Sequence, residues 1–310
     1  QWYFMIFNRQ PLKASWYYSL IPINMSIGSI KIIVTLIALS MGASLIEIGI
    51  IIAANAVVTI VMSIFWGKLS DSFGLRKKFL FLLFLASTPM FFLLGLADSI
   101  LTLTILYTAL AVFTSGIQPI AVMYAVEYRE GKNWQKEIIK YNSYLNIGVI
   151  LGLIINSSII ALIIPLTWIL YLLSLFSFVS ALVLYKTAEE PPLSLEREAF
   201  PIINVQDEER TSTWSILGYF DIRKIKIPRS FRTLKPIHLL FLTCLVHWIG
   251  VFSFSVGEVP LMNAIGLSTS LILAVNVAEN AATVFSFFRL VPRVSIEYQK
   301  LMTAMMTARS

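Results

Sequence analysis

The chain has 310 residues, of which 57% are hydrophobic and 13% charged, whereas ordinary globular chains are about 45–50% apolar and about 25% charged. With a mean hydropathy of +0.79 it carries too little polar surface for a water-soluble fold, so we expect the lipid bilayer to be its main solvent. The single cysteine, Cys244, excludes an internal disulfide framework and a multi-cysteine metal site.

Eight stretches are long and apolar enough to cross the hydrocarbon core, which takes roughly 20 helical residues. In chain order they are 16–39, 45–66, 78–97, 99–125, 141–163, 165–185, 237–257 and 268–290. Pro165 and Trp168 predict the turn between the fifth and sixth stretches, because proline interrupts helices and tryptophan favours membrane interfaces. None of the stretches alternates with the period of two that barrel strands show. The sequence therefore predicts an all-α membrane protein.

The net charge of +7 is distributed unevenly along the chain. Apart from Lys31 in the first stretch, and from Lys78 and Arg289 at the ends of their stretches, the lysines and arginines lie before the first stretch, in every second connection and after the eighth. The connections near Ser44, Asp98, Ile164 and Ala264 contain none. The positive-inside rule then predicts a multi-pass protein of the cell membrane with a cytoplasmic N-terminus. The charge is explained by this topology, so we expect no nucleic-acid partner.

The only long polar segment, 186–236, follows the sixth stretch and ends in a basic run. It predicts a cytoplasmic linker between a six-helix bundle over 1–185 and the start of a second bundle over 237–310. Two interpretations of its 214–227 portion stay open: a solvated linker, or a segment lying on the anionic inner leaflet.

The second and eighth stretches share a pattern at an offset of 224 residues. Ser44, Ala54 and Thr59 align with Ser268, Ala278 and Thr283, and Asn55 falls opposite Glu279, or opposite Asn280 with a slip of one residue. Six stretches, a linker and a restart in the same orientation are typical of transporters built from parallel repeats.

The connection after the second stretch, from Gly67 to Lys78, reads G-K-L-S-D-S-F-G-L-R-K-K. We expect Gly67 to allow close packing of the helix end and Gly74 to allow a tight reversal, while Asp71 is placed to pair with a cation or a helix N-terminus. This connection resembles the G-x-L-x-D-R-x-G-R-R/K signature of the major facilitator superfamily. Ser72 and Leu75 stand where that family usually has basic residues.

The resemblance implies two bundles with twelve helices in all, of which this chain holds about eight; we therefore expect an incomplete chain that lacks the last four. It also implies a conformational latch between the two halves. Its residues here are Gly67, Asp71, Gly74, Arg76, Lys77 and, at the end of the fourth stretch, Glu127. The arginine motif of the family's helix four and the antiporter signature of its helix five are absent, and Gly148 with Gly152 forms only a G-x-x-x-G packing face.

Polar residues inside the stretches are candidates for a solute or coupling site, because a charge at the bilayer centre costs roughly 2.5–3.5 kcal/mol on insertion scales. Asn24, Gly28, Lys31 and Thr35 form one stripe by helical spacing, and Asn276, Glu279, Asn280 and Thr283 form another. The candidate residues are Lys31, Asn55, Asn146, Asn276, Glu279 and Asn280. Alternatives remain: Lys31 snorkelling to the outer interface, the asparagines packing helices, and Glu258 and Asn263 marking the outer mouth.

These features favour a secondary active transporter of a small solute by alternating access, with protons as a candidate coupling ion and Glu279 as the group that couples them. We expect no cofactor, no metal site and no enzyme activity, since hydrolase, zincin and P-loop motifs are lacking. Two further hypotheses stay open. One is a truncated chain that is inert or serves only in assembly, and the other is a membrane-embedded enzyme acting on lipid.

Overall fold

The computed structural model describes residues 14–127, 134–162, 165–190 and 236–290, and all regular structure within them is helical. A short 3-10 helix, Ala14–Ser19, leads into the first long helix. The α-helices are α1 (Leu20–Ser40), α2 (Leu45–Phe73), α3 (Arg76–Leu94), α4 (Ile100–Thr114), α5 (Ile117–Glu127), α6 (Trp134–Ala161), α7 (Leu166–Thr187), α8 (Pro236–Ala264) and α9 (Thr269–Leu290). The prediction of an all-α protein is confirmed.

Six helices in the described part of the chain are long and apolar enough to cross a membrane, counting α4 and α5 as one run over Ile100–Glu127. The predicted turn at Pro165 is confirmed, since α6 ends at Ala161 and Pro165 precedes α7. Three predicted boundaries are wrong by about two turns. The second helix continues past 66 to Phe73. The fifth helix begins at Trp134 rather than at 141, and the seventh continues past 257 to Ala264, because polar residues at helix ends lower the apparent hydropathy without ending the helix.

Local sequence explains the tight turns at both ends of α2. At its start, Ser44 and Glu47 form a capping box, in which the Ser44 backbone N–H donates to Glu47 and the Glu47 backbone N–H donates to the Ser44 hydroxyl. At its end, Gly74 adopts a left-handed conformation (φ 66°), which only glycine enters without steric cost. The chain can therefore reverse at once into α3.

The helix α1 lies at the centre of the described structure, packed between α6 and α7. A side chain at Gly148 or Gly152 would collide with the backbone of α1 at Ile21 and Met25. The predicted G-x-x-x-G packing face of α6 is therefore confirmed, and α1 is the helix that it packs against. Gly28 of α1 lies against the side chain of Val149 of α6, so glycines on both helices allow them to approach closely.

The helix bundle has two ends, the basic end and the opposite end. The basic end carries the α2–α3 connection and the start of α1, and the opposite end carries the turns that precede α2, α4 and α7. The helices α8 and α9 join the others through an apolar cluster in the half of α1 nearer the opposite end. Its buried members are Ile32, Leu36, Leu153, Val259, Ile272 and Leu273. Near that end the Ser157 hydroxyl donates to the Ser270 carbonyl at 2.9 Å.

Candidate functional site

Two of the charged groups that the structure describes contain predicted site residues, and the first lies at the basic end around Arg76. The Arg76 side chain is 2% exposed. Its Nη1 lies 2.5 Å from Asp71 Oδ1 and donates to the Ser70 hydroxyl. Its Nε and Nη2 donate to the two carboxylate oxygens of Glu127 at 3.2 and 2.9 Å. The pairing with Glu127 is bidentate, which is the strongest geometry open to arginine and a carboxylate.

The reversal at Gly74 positions this cluster, since it places Arg76 at the start of α3 directly beside the end of α2. Lys77 does not join the ion pairs. Its backbone N–H donates to Glu190 Oε1 at 3.0 Å, and its ammonium lies 5.6 Å from the centre of the Tyr185 ring. The expected close packing at Gly67 is wrong for the described residues, because a side chain added there would meet open space.

The second group lies at mid-depth, where α1 faces α8 and α9. The Lys31 ammonium donates to the Ser255 hydroxyl of α8 at 2.6 Å. The carboxylates of Glu258 on α8 and Glu279 on α9 are both close enough to act electrostatically on Lys31, and they also act on each other. Lys31 and Glu258 are partly buried, and Glu279 is exposed. The structure thus brings Lys31 and Glu279 together and adds two residues to them.

A cavity of about 250 Å³ begins at Lys31 and extends toward the basic end between α1, α2, α4, α5 and α6. Amides and hydroxyls make up most of its polar lining, and Lys31 is the charged residue that reaches it. The polar lining consists of Asn24, Lys31, Asn55, Thr59, Tyr107, Thr114, Ser115, Gln118 and Tyr141. Such a mixture of hydrogen-bonding groups and apolar wall is typical of a site for a small molecule.

The candidate asparagines divide into two kinds. Asn55 lines the cavity and donates across helices to the Tyr107 carbonyl at 2.9 Å, so it both packs α2 on α4 and faces the cavity. The other asparagines donate to carbonyls one turn earlier in their own helices, as Asn146 does to Asn142, Asn276 to Ile272 and Asn280 to Asn276.

The predicted stripe on α1 does not face a single surface. Asn24 and Lys31 line the cavity, whereas Gly28 packs on α6 and the Thr35 hydroxyl is buried against the Lys31 carbonyl. Gly28 has no side chain, so α6 packs directly against this part of the stripe and covers it. On α9, Thr283 has no described side chain.

Two residues of the mid-depth cluster were not among the predicted site residues, namely Ser255 and Glu258. The predicted span ended at 257, so Glu258 was assigned to the outer mouth; the helix that continues to Ala264 instead places it one turn from Ser255. One sequence signal points to Ser255: the offset of 224 residues that aligns α2 with α9 also aligns Lys31 with Ser255. The hydrogen bond therefore joins positions related by the apparent repeat.

Comparison with known proteins agrees with this architecture. The sequence model described as Major Facilitator Superfamily matches residues 18–308. The chain belongs to this superfamily. The expected family is thus confirmed over nearly the whole length, including α8 and α9. No curated protein gives a significant match to this major facilitator chain.

Two solved structures show the same fold. Both are of a bacterial homologue of the human lysosomal transporter Spinster, in inward-facing unoccupied and inward-facing occupied conformations. The unoccupied structure has a TM-score of 0.59 at 19% identity and covers 88% of this chain. The occupied structure has a TM-score of 0.57 at 17% identity and covers 94%. The major facilitator chain spans 59% and 65% of the lengths of those two proteins.

Proposed function

We propose that this chain forms part of a secondary active transporter that moves a small solute across the cell membrane by alternating access. The observation that carries the proposal is the mid-depth group of Lys31, Ser255, Glu258 and Glu279, which lies beside a cavity and joins α1 to helices beyond the linker. In major facilitator folds the substrate and coupling ions bind near the midplane, at the interface between repeats.

The charges of this group favour coupling to a cation. One ammonium faces two carboxylates, so with all three groups ionised the site holds one negative charge in excess. A charge at this depth is costly, and a proton or another cation bound at a carboxylate would remove the excess. We assign that role to Glu279, because it is the more exposed of the two carboxylates and therefore the more accessible to a proton from solution.

The solute would occupy the cavity on the basic side of Lys31. Its size suits a small molecule, and the amides of Asn24, Asn55 and Gln118 offer both donors and acceptors. The Lys31 ammonium is compensated by its own carboxylate neighbours, so it would orient a polar solute without requiring a full negative charge on it. The basic end is the cytoplasmic end under the positive-inside rule.

The second proposed element is the latch at the basic end. The family resemblance assigns to Asp71, Arg76 and Glu127 a charge cluster that holds the two halves in the outward-open state. Their observed contacts are compatible with this role, since Arg76 pairs with both carboxylates and Asp71 is 60% exposed at the surface of the basic end.

The test uses the full-length protein in sealed proteoliposomes with an internal pH dye and a panel of small polar solutes. The wild type should acidify the lumen when a transported solute is added, because proton and solute move together. Glu279→Gln should abolish solute-driven acidification while still exchanging labelled solute. Asp98→Asn, which alters an exposed carboxylate at the opposite end, is the matched control and should behave as wild type. Accumulation of solute against its gradient by Glu279→Gln would refute the coupling role.

A further inference from the structure

A groove on the outer surface of the basic end lies apart from both charged groups. Phe73, Leu75, Lys78, Phe79 and Leu82 line it, and its volume is about 190 Å³. It forms where α2 ends and α3 begins, with the Phe73 and Phe79 rings 6.0 Å apart. Every lining side chain except Lys78 is apolar, so neither the latch nor the cavity near Lys31 accounts for it.

The exposure of the neighbouring residues shows what medium the groove faces. Phe73 is 61% exposed and Leu82 47% exposed. The same face of α3 continues through exposed Leu85 and Phe92 toward the opposite end. An apolar helix face exposed over this length faces the hydrocarbon of the bilayer, so the groove opens sideways into lipid rather than into water.

The charge of Lys78 at the edge of the groove indicates which kind of lipid the groove would bind. Lys78 is exposed at the start of α3, one turn before Leu82, which places its ammonium at the level of the lipid headgroups. The neighbouring Lys77 adds a second cation to the same helix end. No ion pair of Lys78 is found among residues 14–127, 134–162, 165–190 and 236–290. Cationic pockets beside membrane helices on the cytoplasmic side attract anionic headgroups.

We propose that this groove binds one anionic phospholipid of the cytoplasmic leaflet, with an acyl chain between Phe73, Phe79 and Leu82 and the headgroup phosphate at Lys78. The Phe73 and Phe79 rings and the Leu82 side chain would form an apolar surface for the acyl chain, and this surface continues along α3. The lysine distinguishes an anionic headgroup from a zwitterionic one. The site is separate from the proposed transport cavity and does not depend on the coupling mechanism.

Photo-crosslinking tests this proposal directly. The full chain is reconstituted in phosphatidylcholine nanodiscs that contain a minor fraction of phosphatidylglycerol with a diazirine in its acyl chain. Mass spectrometry then locates the crosslinked residues. We expect crosslinks at Phe79 or Leu82, reduced about fivefold in Lys78→Gln, since a lysine near an anionic surface contributes about 1 kcal/mol.

Two variants and one probe make the result decisive. Lys186→Gln removes an exposed lysine from the same end but outside the groove, and it should leave the yield unchanged. Lys78→Arg keeps the charge and should restore the yield, which separates loss of the lipid contact from loss of the fold. Equal crosslinking by a phosphatidylcholine diazirine probe, an undiminished yield in Lys78→Gln, or a groove covered by other residues of the chain and free of crosslinks would each overturn the proposal.

Discussion

The Arg76 cluster offers a stability prediction in which burial decides the magnitude. The Glu127 side chain is 16% exposed and faces an Arg76 side chain that is 2% exposed, whereas Asp71, on the other side of the same guanidinium, is 60% exposed. Glu127→Gln retains the shape of the side chain but removes its charge, so one of the two hydrogen bonds from Arg76 is lost and the other is made to a neutral amide oxygen. Hydrogen bonds to charged groups contribute about 1.5–3 kcal/mol each before compensation.

We expect Glu127→Gln to lower the free energy of unfolding by about 2–3 kcal/mol, below the roughly 3–5 kcal/mol that complete loss of a buried partner costs, because glutamine still accepts one hydrogen bond. Asp71→Asn should lower it by only about 0–1 kcal/mol, as exposed ion pairs do. The contrast arises although the Asp71 contact is the shorter one, since solvent screening rather than distance sets the contribution.

Reversible unfolding in mixed micelles, followed by circular dichroism, gives both values under the same conditions. Raising the salt concentration provides an internal control: the small effect of Asp71→Asn should shrink further, and the effect of Glu127→Gln should change little. If Asp71→Asn destabilises as much as Glu127→Gln, burial does not govern this cluster and the reasoning fails.

Three further outcomes follow from the geometry. Gly152→Ala should destabilise the chain by about 1–3 kcal/mol, because the added methyl group would collide with the α1 backbone. The control Gly49→Ala places its methyl group in open space and should be neutral or slightly stabilising. Thermal unfolding of the two variants measures the difference. Gly74→Ala should cost about 1–2 kcal/mol by the same measurement, since alanine must take up a left-handed conformation. Asp71→Asn should slow solute uptake into proteoliposomes at unchanged expression, and an unchanged uptake rate would contradict the latch.

Features that depend on local sequence could be predicted, and α7 illustrates why. Its predicted range of 165–185 lies within two residues of Leu166–Thr187, since proline sets its start and the apolar run sets its length. The reversal at Gly74 could be predicted equally well, because glycine in a short polar connection readily adopts the left-handed conformation that a tight turn requires. The packing of Gly148 and Gly152 followed from their spacing, although the identity of the partner helix did not.

Features that depend on distant contacts could not be predicted in this way. Lys31 carries no local sign that its ammonium meets Ser255 of α8, 224 residues later. Glu258 was misplaced because hydropathy locates the apolar middle of a helix and not its polar end. Gly67 shows the opposite error: a glycine at the end of a helix suggested close packing, and the described neighbours leave the position open.

The position of the apolar cluster relative to the cavity explains how the mid-depth charges could be reached. Ile32 and Leu36 lie on the opposite-end side of Lys31 and pack with Leu153 and Ile272, so residues of α1, α6 and α9 close that side. Asn24 and the other cavity residues of α1 lie on the basic side of Lys31. Lys31 therefore lies between the cavity and the apolar layer. Because Lys31 contacts α8 at this boundary, and Val259 of α8 belongs to the same apolar cluster, separating α1 from α8 would break both the Ser255 hydrogen bond and this packing.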